Sequence, residues 1–145
     1  MAPVPRRAFT RGESEFDRGL SFFDAIYGFA ITLLIANVDL PPAESWSSLR
    51  ALADSGLPEQ LFGFVLSFVV IGLIWLSHHR KFRAIARYDH GLLRMNLLML
   101  LFVASLPLPT AILGRHGDTV LAVVIDAATI AVIGFLMTGM WIYAW

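Results

Sequence analysis

The sequence predicts an all-α fold, a polytopic bundle of membrane-spanning helices, and three observations carry that expectation. Hydrophobic residues make up 57% of the 145 and charged residues only 15%, with a mean hydropathy of +0.70, a balance foreign to a water-soluble domain of this size. The apolar residues gather into four runs, each close to the roughly 20 residues a helix needs to cross a hydrocarbon core about 30 Å thick. The remaining charges are sorted by position along the chain. Formal net charge is zero and cysteine is absent. No basic field therefore points to nucleic acid, and disulfides, thiolate metal sites and a cysteine nucleophile are excluded together.

Residues 1–17 mix Pro3 and Pro5 with Arg6, Arg7, Arg11, Glu13, Glu15 and Asp17, without helical or strand period and without an apolar stretch that could be cleaved as a signal. They are expected to be a mobile cytoplasmic lead-in to a transmembrane domain over 18–145. The first span is expected at 18–38, where Pro41 and Pro42 forbid continuation. Residues 39–59 carry Asp39, Glu44, Asp54 and Glu59 against Arg50, and read as a loop with a short surface helix near 45–53. The second span is expected at 60–77, with Trp75 suited to the interfacial aromatic belt. His78, His79, Arg80, Lys81, Arg83, Arg87, His90 and Arg94 then make the connection to a third span at 92–113 strongly basic. Pro107 and Pro109 lack the backbone donors a helix uses and should kink that span toward its far end. After a turn at 114–118 the fourth span covers 119–145 and closes on Trp141, Tyr143 and Trp145.

Counting Lys and Arg by side sets the topology, because positive residues of short loops stay in the cytoplasm. The amino-terminal segment and the second-to-third connection hold nine, and the other two loops hold only Arg50 and Arg115. The amino terminus is expected inside.

Asp24 is the most informative polar residue, since a carboxylate inside a span is costly and takes a partner. Arg18 lies six residues earlier, which places the two side chains about 120° apart around one helix. The expected partners are instead His78, His79 or Arg94 on neighbouring helices, in a polar clasp between spans. Ser21, Ala25, Gly28, Thr32 and Ala36 form a stripe of small residues, which reads first as a packing seam. Thr32 is expected to bond back to a carbonyl one turn earlier. Phe22, Phe29, Leu33 and Ala36 form an adjacent apolar stripe that could face a lumen. Asp126 is a second carboxylate within a span, with packing as its default role. His78 and His79 are adjacent rather than four apart, so no metal site is expected. No nucleophile, base and oxyanion donor come together, which argues against an enzyme.

The run Arg18-Gly-Leu-Ser-Phe-Phe-Asp24, followed by Ala-Ile-Tyr-Gly-Phe-Ala-Ile-Thr-Leu-Leu-Ile, resembles the Arg-x-x-x-Phe-Ser-Asp signature and first helix of the transmembrane protein 175 potassium channels. The similarity runs on through Trp75 and His78-His79 and through Asn96-Leu-Leu to Leu106-Pro-Leu-Pro-Thr110. The resemblance implies a potassium-selective channel of the prokaryotic cell membrane, a homotetramer with six spans per subunit and first helices lining the pore. This sequence is accordingly expected to lack the last two spans. It also implies a hydrophobic constriction in place of a TVGYG filter, with Phe29 at the main constriction, Leu33 and Ala36 in later layers, and Thr32 at the position associated with selectivity. Arg18, Phe22, Phe23 and Asp24 would then fix the helix rather than touch the ion, Phe23 standing at the motif's serine position. Potassium would be the permeant ion, the bilayer the surroundings, and no cofactor is implied. Two other readings of the residues are a proton-linked transporter using Asp24 and Asp126, and a non-conducting assembly subunit.

Overall fold

The computed structural model describes residues 8–145. In chain order its elements are β1 (Ala8–Thr10), α1 (Ser14–Ile35), a 3-10 turn (Ala43–Ser47), α2 (Leu49–Ala53), α3 (Leu57–Ala84), β2 (Arg87–Asp89), α4 (His90–Ser105), α5 (Pro107–His116) and α6 (Val120–Ala144). Four helical rods are long and apolar enough to cross a membrane, α4 and α5 together making the third. At about 1.5 Å per residue the 22 residues of α1 extend about 33 Å and the 28 of α3 about 42 Å. The first therefore just crosses a hydrocarbon core, and the second overshoots it.

That overshoot is the largest difference from the expected spans. The helix of the second span runs seven residues past Ser77, to Ala84, because the polar run from His78 leaves lipid without giving up backbone hydrogen bonding. Residues 8–17 also differ from the expected lead-in, whose residues 1–7 lie outside the described part. Ala8–Thr10 pairs antiparallel with Arg87–Asp89, Phe9 opposite Tyr88, and α1 begins at Ser14. Gly12, at φ +91°, makes the turn between strand and helix in a conformation that a side chain would oppose.

The helix ends follow local chemistry. Glu15 and Asp17 sit in the first turn of α1, where negative charge complements the dipole. Ser48, Asp89 and Thr119 accept from the backbone N–H groups of Ala51, Leu92 and Ala122 and so cap α2, α4 and α6. The proline pair breaks the third rod at Leu106, whose N–H bonds the Val103 carbonyl at 3.2 Å in a tightened turn. The break is mild, since Leu106 keeps helical dihedrals. Asn37, just past α1, donates its Nδ2 to the Pro107 carbonyl at 3.0 Å.

α1 packs on α3 and α4, α4 also on α6, and α5 between α3 and α6. The core stripe of α1 is Phe16, Phe23, Tyr27, Ala30 and Leu34, which recur at helical spacing and meet Ile71, Phe82, Leu92, Met99 and Val103. Large side chains point outward elsewhere, Phe62, Leu101, Phe135 and Ile142 among them. On a polytopic membrane protein that surface meets lipid tails and needs no cover.

Candidate ion pathway and the contacts that hold it

α1 has two faces of different character. One is the buried stripe just described. The other carries Phe29 at 70% exposure, Phe22 at 54% and Leu33 at 51%, with Ala25, Gly28, Thr32 and Ala36 exposed between them. The small-residue stripe is thus not a packing seam within this chain. It lies beside the apolar stripe on one continuous surface that no other part of the described chain covers. The Thr32 hydroxyl donates back to the Gly28 carbonyl at 2.7 Å, with the Phe29 carbonyl at 3.0 Å sharing it. Its hydrogen is committed to the helix, so the oxygen faces outward as an acceptor.

At the edge of that face, Asp24, itself exposed, accepts from the indole N–H of Trp75 on α3 at 2.8 Å. The partner is neither histidine nor Arg94, as the sequence led us to expect. His78 instead lies with Nε2 2.8 Å from Oδ1 of Asn96 on α4, both side chains buried. The imidazole donates in this arrangement, because a carbonyl-type oxygen can only accept. His79 leans on the Trp75 ring at 5.3 Å, and Arg94 is exposed. An indole N–H answers a carboxylate at membrane depth without bringing in a second charge. The network therefore links α1 to α3 and α3 to α4 through neutral donors.

Within the Arg18–Asp24 motif the roles separate. Phe23 is fully buried, with Phe82, His78 and Tyr88 around it at ring separations of 5.6, 6.1 and 6.5 Å. The aromatic ring at the serine position of the signature replaces a polar contact by packing. Phe22 and Arg18 point outward, and Arg18 makes no hydrogen bond or ion pair with another described residue. Neither fixes α1 to another helix among the described residues.

Asp126 on α6 accepts from the Thr110 hydroxyl of α5 at 3.3 Å, and Ser67 Oγ on α3 lies 3.2 Å from Thr110 Oγ1. This ladder borders an open cavity of about 420 Å³ between α3, α5 and α6, whose lining includes Phe62, Leu66, Val70 and Ile130, with Glu59 as a second carboxylate.

Sequence reasoning passed over several residues that matter here. Trp75 reads as a belt residue, although its N–H is a donor in need of an acceptor. Gly19 lies so close to the Tyr88 hydroxyl that a Cβ would overlap it. Tyr88 of β2 wedges between Phe9 and Phe16, at 5.2 and 4.9 Å. Burial, helped by Glu15 and then Asp17, holds its hydroxyl above the ordinary tyrosine range. Asp89, besides capping α4, accepts from the Tyr143 hydroxyl of α6 at 2.9 Å.

Three comparisons bear on this arrangement. The family model described as endosomal/lysosomal potassium channel TMEM175 matches residues 18–107, a stretch that holds α1 from Arg18 onward, Trp75, His78 and Asn96. A potassium channel of Streptomyces collinus is 38% identical over 103 residues, covering 71% of this chain and 50% of that protein, so the chain spans half the length of that relative. An endosomal/lysosomal proton channel TMEM175 of Bos taurus is 29% identical over 138 residues, 86% of this chain and 28% of that protein. The crystal structure of a lysosomal potassium-selective channel TMEM175 homolog from Chamaesiphon minutus superimposes with a TM-score of 0.80. It is 31% identical and covers 91% of this chain and 72% of that one.

Proposed function

This chain belongs to the TMEM175 family of ion channels, and from that premise we propose that it is a pore-lining subunit of a potassium-permeable channel in a bacterial plasma membrane. Four copies would stand around one axis with their amino termini in the cytoplasm. The exposed face of α1 would line the pathway, with Phe29 at the narrowest level, Leu33 and Ala36 beyond it, and Thr32 presenting its acceptor oxygen to a passing cation. The observation that carries this reading is the contrast on α1 itself. A helix held so closely on one side leaves an unbroken stripe from Phe22 to Ala36 uncovered on the other. A ring of Phe29 side chains would control passage by excluding water, an alternative to carbonyl coordination.

Reconstituted in liposomes, the full chain should pass potassium down its own gradient with no pH gradient imposed. Phe29→Asn should raise that flux or loosen its selectivity, because a polar ring stays wet. A Phe29 side chain that points into lipid in the assembled protein would defeat the assignment. The hydroxyl ladder Asp126, Thr110 and Ser67 favours a second reading, proton movement. It would require flux that depends on a pH gradient and is abolished by Asp126→Asn.

A further inference from the structure

We propose that residues 8–16 form a clasp that sets the rotation of the inner end of α1, with Arg11 as its positioning residue. The inference rests on α1 lining the pathway. Arg11 reaches across to the end of α3, where its Nη2 donates to the carbonyls of Phe82 and Arg83 at 2.9 Å each and of Ile85 at 3.2 Å. The last turn of a helix carries the negative end of its dipole, and the Phe82 carbonyl accepts from the Ile85 N–H at 3.2 Å as well. A permanently charged, planar group with several donors suits that position. The same guanidinium lies 5.6 Å from the centre of the Phe16 ring, within range of a cation–π contact, and Phe16 is fully buried in the first turn of α1. One side chain therefore joins the end of α3 to the start of α1.

The backbone continues the connection. The Arg11 N–H donates to the Ala86 carbonyl at 3.0 Å, directly beyond the β1–β2 pairing. Tyr88 then presses on α1 from β2, against Phe16 and into the space that Gly19 leaves by having no side chain. Phe23 completes the grip from within the core. Held at Phe16, Gly19 and Phe23, α1 cannot turn about its axis without breaking these contacts. Successive side chains on a helix stand about 100° apart, so a rotation by a fraction of that angle already swings Phe29 away from the direction it faces. The clasp thus determines which side chains form the constriction.

The test uses the full chain in liposomes with Arg11→Gln, Arg11→Lys, and the pair Thr10→Cys with Arg87→Cys, which face each other in the strand register. The native chain has no cysteine, so oxidation closes one known bond. Arg11→Gln should speed amide exchange in β1 and β2 about tenfold and lower the ratio of potassium to sodium flux about threefold. Arg11→Lys should restore part of the ratio. In the Arg11→Gln background the oxidised cysteine pair should restore it, and the reduced pair should not. Faster exchange with an unchanged flux ratio overturns the positioning role and leaves the pore reading standing. A native chain that conducts no potassium overturns the pore reading, and the positioning role with it.

Discussion

In the proposed topology, the inner and outer halves of the bundle each place a carboxylate beside a neutral donor, yet they use it in opposite ways. Asp24 is itself exposed, but rings pack beside it: Trp75 holds the carboxylate, while His78 stacks on Phe82 at 4.3 Å and bonds Asn96. Around Asp126 the ladder of hydroxyls borders a void of about 420 Å³. In membranes, where helices gain little from the hydrophobic effect, association depends on close packing and interhelical hydrogen bonds. The inner half has both and the outer half chiefly the second. The inner half fixes a geometry; the outer half leaves room to change one.

The sharpest way to break that contrast is to remove packing from each half. Phe23→Ala should cost about 3–5 kcal/mol of stability in a detergent unfolding titration. Leu66→Ala at the cavity wall, half exposed already, should cost less than half as much, and equal losses would show that the halves do not differ in packing. Next in size, Trp75→Phe keeps a ring and removes the donor to Asp24. It should cost about 0.6–1.7 kcal/mol, and a double-mutant cycle with Asp24→Asn should show that the two changes are not additive. Thr110→Val, at a longer bond beside a void, should cost no more than about 0.6 kcal/mol.

The smallest effect concerns pH. The raised Tyr88 hydroxyl contributes stability that is fully present below the ordinary tyrosine value and lost as pH rises through its value in the folded protein. Unfolding measured on both sides of pH about 10 should show a smaller alkaline loss in Tyr88→Phe than in the native chain.

Much of this fold is legible along the chain. Four apolar runs with prolines and charges between them announce four rods, and the pair Pro107 and Pro109 marks the break in the third. The α1 residues Phe29, Thr32, Leu33 and Ala36 fall on one exposed surface, as the helical wheel requires. What escapes is of another kind. Trp75 and Asp24 are 51 residues apart, and nothing local links an indole to a carboxylate over that separation. β1 and β2 are three residues each, too short to show a period, and they exist because each lies where the other needs a partner. Hydropathy cannot locate Ala84 as the end of α3, since it reports where lipid ends. Phe22 and Arg18 illustrate a further limit, since a conspicuous motif does not say which of its residues meet another helix of the same chain.

The Asn37 side chain, bonded to the Pro107 carbonyl at the proline break, has a mechanical consequence. It ties down the outer end of α1, opposite the hold of Phe16 and Tyr88 at the inner end. A rod clamped at both ends cannot spin or slide freely; it responds to load by bowing between its supports. The compliant point of such a rod is where section and lateral support are least. Gly28, with open space where a Cβ would stand, lies between these supports in the second half of α1 and one residue before Phe29. In the proposed pore, any displacement of the constriction would then be a sideways deflection of Phe29 toward or away from the axis.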